Sequence, residues 1–211
     1  MAVSGDAKKT GLIQQLARLG GNVTGETFFA SEQTSKRLEL VKEVIPSLDR
    51  VAFIMNPGNS SARLELEAME SASRSLKIEF RTFEVQSAAD FNDAFALIVK
   101  AGCRAVETAQ DGMLVANASI IAAAALNSRL PTVGEAFFPS VGGLLGFGPN
   151  LSEMFRRAAY FVDRLLKGDK ASDLPVERPT KFELAVNLRT AKTLGRTMSA
   201  AVLARAEEVI E

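Results

Sequence analysis

Apolar positions along the chain fall into two alternating periods. Leu38, Leu40, Val41, Val44 and Ile45 recur on a helical spacing over Ser35–Ile45, and Pro46 closes that segment. Val51 to Met55 is then a continuous apolar run ended by Asn-Pro-Gly, the pattern of a strand buried on both faces of a parallel sheet. The unit repeats. A helix is predicted from Ala62 to Leu76, a strand from Lys77 to Val85, and a helix carrying Phe91, Phe95 and Ile98 that starts at a Ser87/Asp90 capping pair and stops at Gly102. A strand over Arg104–Thr108, an Ala-rich helix over Met113–Asn127, and strands over Leu130–Gly134 and Gly143–Phe147 follow. Connections this short between strands and helices predict an α/β fold, a doubly wound parallel sheet with helices on both faces. Ligands in such sheets bind at the carboxyl ends of the strands.

The two ends of the chain read differently. Thr10–Leu19 has a helical apolar stripe ended by Gly20-Gly21, with only two residues, Ala2 and Val3, left for a strand leading into it. Asn150, with Glu153 three residues on, caps a strongly amphipathic helix over Leu151–Lys167. A polar, proline-marked linker leads from it to a strand over Phe182–Asn187 and two short helices. A strand reached that way suggests a chain that leaves one lobe and returns.

Composition narrows the chemistry. Twenty-five Lys and Arg balance 25 Asp and Glu, which disfavours nucleic acid or an anionic membrane as partner. The chain has no histidine, which removes Ser–His and Cys–His nucleophile pairs and the usual imidazole ligands of zinc. No catalytic residue, metal ligand or cofactor is assigned. Cys103, alone, makes no internal disulfide. No run of about 18 apolar residues is present, and MAVSGDAKKTG has no apolar signal core.

Four stretches carry a resemblance: ARLGGNVTG (Ala17–Gly25), SKRLELVKEVIPSLDRVAFIMNP (Ser35–Pro57), LLKGDKASDLPVERPTKFELAVNLRTAKTLG (Leu165–Gly195) and LARAEEVIE (Leu203–Glu211). Together they resemble the ABC-transporter substrate-binding proteins of the type I periplasmic-binding fold, a family that includes tryptophan and tyrosine receptors. The resemblance implies two lobes around a hinge, with the second complete here and the first mostly missing. On that basis residues 1–25 are a first-lobe remnant, 26–150 the second lobe, 151–179 a crossover helix and hinge linker, and 180–211 the return to the second lobe. It also implies a small solute such as an amino acid, a membrane ABC permease as partner, and a periplasmic location. A chain holding half a clamp is expected to bind solute weakly or not at all. It is also expected to self-associate through the apolar face of helix 151–167. A cytoplasmic ligand-sensing or regulatory domain of the same fold is the alternative.

Three strand-end loops hold the candidate ligand contacts. Asn56, Asn59, Ser60 and Ser61 suit a carboxylate at a helix start, or else simply cap that helix. Asp111, before Gly112, pairs with a ligand ammonium as the resemblance implies, or serves as turn and N-cap. Glu135 adds a second carboxylate, and Phe137 or Phe138 stacks on an apolar ligand or belongs to the core. Thr10 lies in the stretch matching the family's ligand-proximal loop. GGLLGFG, Gly142–Gly148, lacks both the G-x-G-x-x-G spacing and a following Lys-Ser/Thr, so nucleotide binding is disfavoured. Asp111 and Glu135 as a general acid/base pair is a remote alternative, since cleft carboxylates without further support serve more often in binding.

Overall fold

The computed structural model describes residues 3–4, 6–8, 11–13, 21–28 and 30–211. Chain contacts divide it into two units, residues 1–30 with 149–182 and residues 31–148 with 183–211. The chain therefore passes between them at Ala30–Ser31, Gly148–Pro149 and Phe182–Glu183.

In chain order the elements are β1 (Val3–Ser4), β2 (Gly25–Thr27), α1 (Ala30–Val44), β3 (Arg50–Met55), α2 (Ala62–Leu76), β4 (Glu79–Glu84), α3 (Phe91–Lys100) and β5 (Val106–Thr108). They continue as α4 (Gly112–Ala116), α5 (Ala118–Asn127), β6 (Thr132–Gly134), β7 (Leu145–Pro149), α6 (Leu151–Leu166), β8 (Val176–Glu177), β9 (Phe182–Asn187), α7 (Leu188–Thr193), α8 (Ala200–Leu203) and β10 (Glu208–Ile210).

Among the described residues, the larger unit holds a seven-stranded sheet in the order β10-β9-β7-β6-β5-β3-β4. β3 pairs in parallel with β4 on one side, Val51 opposite Phe80, and with β5 on the other, Phe53 opposite Glu107. The chain thus runs outward from β3 to β4, then crosses back to build the rest of the sheet from β5 onward. The β3/β5 crevice is the point where strand order reverses, the place where open α/β sheets leave room for a ligand. Val51 to Met55 is buried throughout, as its continuous apolar run requires. α3 buries Phe91, Ala94, Phe95 and Ile98, and Asp90 takes the Gln86 and Ser87 N–H groups, both at 2.8 Å, ahead of that helix.

Several expectations change. The single helix over Met113–Asn127 is two, because Asn117 leaves helical geometry at φ −111°, ψ 17° while its Nδ2 donates to the Met113 carbonyl. The chain closes on strand β10, parallel to β9, after its two short helices. β2, expected in the second lobe, pairs instead with β1 and β8 in the smaller unit, Glu26 opposite Val3 and Glu177. Gly11–Ile13, at the start of the expected Thr10–Leu19 helix, is a turn with Gly11 at φ 78°; residues 14–19 lie outside the described residues.

In the smaller unit α6 buries Met154 and Phe161, and Arg157 forks onto Glu177 with hydrogen bonds of 2.7 and 2.6 Å while lying 3.9 Å above the Tyr160 ring. No helix of the described residues is long and apolar enough to cross a membrane.

The glycines of GGLLGFG have a packing role. A Cβ on Gly146 would lie 2.5 Å from the carbonyl oxygens of Glu135 and Ala136, and one on Gly143 would lie 2.3 Å from the Phe138 ring. The loop after β6 folds back on β7 only because those side chains are absent. Gly146→Ala is therefore expected to cost about 1–3 kcal/mol by overpacking against rigid backbone. Chemical denaturation checks this, and an unchanged midpoint contradicts it.

Candidate functional site

The loops after β3, β5 and β6 lie at neighbouring strand ends in the larger unit, and hydrogen bonds tie the first two together. Asn56 and Asn59 each turn their Oδ1 onto their own loop, taking the Gly58 and Ser61 N–H groups at 2.9 Å. Their Nδ2 atoms reach across the β3/β5 crevice to Asp111 Oδ2, at 3.2 and 3.1 Å, and Asn59 also donates to the Gln110 carbonyl at 2.8 Å. Asp111 Oδ1 accepts from the Met113 and Leu114 N–H groups and so caps α4. All four lone-pair sites of the Asp111 carboxylate are then occupied by N–H donors. Ser60 is exposed on the rim, Ser61 is buried beneath it, and Phe137 is half-buried against the core. Phe138 is a core residue. Thr10 lies outside the described residues.

Glu135 leads inward rather than outward. Its Oε2 pairs with Arg37 Nη2 at 3.1 Å, and the Arg37 side chain is wholly buried. Arg37 Nε donates to the Phe147 carbonyl at 2.8 Å, so one guanidinium joins α1 to the β6 loop and to β7. One turn earlier on the same face of α1, Gln33 Oε1 accepts from Gln110 Nε2 at 3.0 Å. Glu65, on the inner face of α2, accepts the Gln110 N–H at 2.9 Å and the Thr34 hydroxyl at 3.2 Å, both on Oε2. Glu107 sits mid-strand in β5 with neither carboxyl oxygen hydrogen-bonded.

This layer of polar groups beneath the loops is unusually under-satisfied. Glu65 Oε1, Gln110 Oε1, Glu135 Oε1 and both Glu107 oxygens lack partners, as do the donors Gln33 Nε2 and Arg37 Nη1. Three carboxyl groups share one guanidinium away from water. Burial accordingly pushes Glu107 well above the usual carboxylate range. It raises Glu65 to about 7 against the hydrogen bond from Gln110 and the nearby Arg37 charge.

The periodicity held a signal for these residues. Glu65 falls in phase with buried Ala62, Met69 and Ser73, and Arg37 in phase with Leu38 and Val41 on α1. Glu107 interrupts a buried central strand. A charge on an apolar phase marks an internal network.

A cavity of about 690 Å³ lies elsewhere, between β4 and α3, lined by Arg81, Phe83, Asp90, Asp93, Leu97 and Lys100. It is an open groove beside an exposed edge strand, without converging buried polar groups. The strand-end loops are the better ligand site on that ground. A smaller cleft of about 190 Å³ in the other unit is lined by Glu26, Asn150, Arg157, Glu177 and Lys181. Among the described residues, no group of three or more Cys, Asp or Glu is placed to hold a metal ion.

The model of the ABC transporter substrate binding protein family matches residues 1–210. A tyrosine-binding protein of Clostridioides difficile (strain R20291) is 25% identical over 191 residues, 90% of this chain and 54% of that protein. The chain thus spans about half the length of the curated relative it matches. The ABC domain from Streptococcus pneumonia in complex with L-Trp superposes with a TM-score of 0.90 at 22% identity, over 100% of this chain and 72% of that one. A conserved domain protein from Vibrio cholerae O1 biovar eltor gives a TM-score of 0.89 at 24% identity, over 97% and 68%. These likenesses show the type I periplasmic-binding fold.

Linkage gives the buried carboxyl a sign. Unfolded Glu65 ionises near its usual 4.5, whereas the folded chain holds the proton to about 7, so between those values the folded state binds more protons. Stability from this group is complete below about 4.5, falls as pH rises towards 7, and is level beyond. At about 1.4 kcal/mol per pKa step, the loss is about 3 kcal/mol. Glu65→Gln is expected to match the parent near pH 4.5 and to exceed it by roughly that amount above pH 7 in urea unfolding. Parallel pH profiles would contradict the assignment.

Proposed function

Because the chain belongs to the ABC transporter substrate binding protein family, we propose that it is the solute-binding component of an ABC uptake system. Its ligand is an amino acid or similar zwitterion, taken at the loops after β3, β5 and β6. The observation that carries this reading is the cross-linking of the two loops that flank the sheet's switch point, by Asn56 and Asn59 onto Asp111. The complex of a structural neighbour with L-Trp and the tyrosine-binding relative favour an aromatic amino acid.

In this reading Asp111 supplies negative charge and holds the crevice in shape, since its oxygens are already taken by N–H groups. Direct contact falls to the Ser60 hydroxyl, with Ser61 behind it, and to the Phe137 ring, which offers a stacking face. Glu135 sets the third loop through Arg37. Preformed polar groups of this kind need little reorganisation on binding, and closure by a second lobe would strengthen them by excluding water. The partner that receives the solute is a membrane permease, and the working compartment is the periplasm or cell exterior.

With ¹⁵N-labelled protein and L-tryptophan or L-tyrosine at millimolar concentration, shifts are expected at 56–61, 110–112 and 135–138, in fast exchange. Phe137→Ala should weaken that binding about tenfold without loss of fold. Shifts confined to other surfaces, or none, would overturn the proposal. Sub-micromolar binding would overturn the expectation that this chain holds solute weakly.

We also propose self-association of this chain through α6. Phe155, Val162 and Leu166 form one stripe there, exposed to 59, 54 and 83%. That stripe continues the buried Met154 and Phe161 face, and soluble monomers rarely leave so broad an apolar face uncovered. Light scattering should show a dimer that Val162→Glu dissociates; a clean monomer at tens of micromolar would refute it.

A further inference from the structure

We propose that Glu65 is a positioning residue of the strand-end site: its ionised carboxylate fixes the Gln110–Asp111 loop through the Gln110 N–H, and it loosens that hold on taking up a proton. The loop is gripped from two sides. Asn59 holds the Gln110 carbonyl and Asp111 from the rim, and Glu65 Oε2 holds the Gln110 N–H from below. The lower grip is made by a carboxyl group, which changes charge on taking up a proton.

The surroundings of Glu65 make that change consequential. From α1 it faces Arg37, whose guanidinium is engaged by Glu135 of the β6 loop, together with the Thr34 hydroxyl. From β5 it faces Glu107. Its second oxygen, Oε1, has no partner. A hydrogen bond from an amide to a carboxylate is shorter and about twice as strong as one to a neutral carboxyl group. Ionisation therefore tightens the Gln110 contact while placing a further negative charge in a buried cluster that already holds the Arg37–Glu135 pair. Protonation reverses both effects. Burial and hydrogen bonding place the changeover near neutrality, at about 7.

The absence of histidine removes the side chain that ordinarily titrates near neutrality. Glu107, whose carboxyl burial also pushes up, is the neighbour to be separated from Glu65. The effect on a solute rests on the reading of these loops as the solute site. The grip on Gln110 does not.

The test is a pH series of amide spectra of the ¹⁵N-labelled full chain without ligand. The Gln110 amide proton is expected to move downfield in one step centred near 7 as pH rises. Glu65→Gln should abolish the step with the remaining spectrum intact, and Glu107→Gln should leave it in place. A Gln110 amide that stays flat, a step that survives Glu65→Gln, or one that Glu107→Gln removes would overturn the proposal. Calorimetry with L-tryptophan forms a separate arm. Affinity should rise several-fold from pH 6 to pH 8 in the parent and stay level in Glu65→Gln. An affinity level in both proteins counts against the proposal. Absence of binding at every pH, with the Gln110 step present, refutes the solute-site reading and leaves the positioning role supported.

Discussion

The arrangement of the larger unit depends on one buried guanidinium. Arg37 has no exposed side-chain surface, yet it joins α1 to Glu135 and to the Phe147 carbonyl. Removing a charge from water costs several kcal/mol, and a single neighbour seldom repays it. The fold supplies a carboxylate, a backbone carbonyl and the nearby Gln33 amide oxygen, and still leaves Nη1 without a partner. Loss of either member of the Arg37–Glu135 pair would strand its partner's charge in the interior. That penalty ties the position of the β6 loop to the helix beneath it.

From this anchor the polar layer extends sideways under the other strand-end loops. Gln33 carries it to Gln110, and Glu65 carries it from Gln110 to Thr34. The loops are thus not free connections laid over a hydrophobic core. The loops after β5 and β6 are fixed from below by buried side chains on α1 and α2, and the loop after β3 is fixed to the β5 loop across the crevice. In the proposed reading, a surface held in this way offers a solute preset hydrogen-bonding directions. The cost is a set of buried carboxyl groups whose protonation is linked to folding.

Much of the fold was legible in the periodicity. The Val51–Met55 run, the Ser87/Asp90 pair and the Asn150 cap with Glu153 all behave as their local chemistry predicts, because each depends on residues close in sequence. What was not legible depends on long-range pairing. β2 and β8 are three and two residues long, and parallel partners far along the chain define them. The strand-end loops can be named from sequence as a candidate place for a ligand. Their internal division of labour cannot. Asp111 reads from sequence as either an ammonium partner or an N-cap, and it does cap α4; that Asn56 and Asn59, more than 50 residues away, take up its other oxygen is a long-range fact. Arg37, Glu65 and Glu107 lie in phase with apolar neighbours, which marks them as internal, but the period names no partner for them. The partners of Arg37 and Glu65 stand on elements far along the chain.

The most direct test of the central claim is a crystal structure of this chain soaked with L-tryptophan. Ordered ligand density is expected over the β3/β5 crevice, against Ser60, the Asn56–Asp111 bridge and the Phe137 ring. Ligand density in the groove between β4 and α3, or in the cleft lined by Glu26 and Arg157, with the strand-end loops empty, would contradict it.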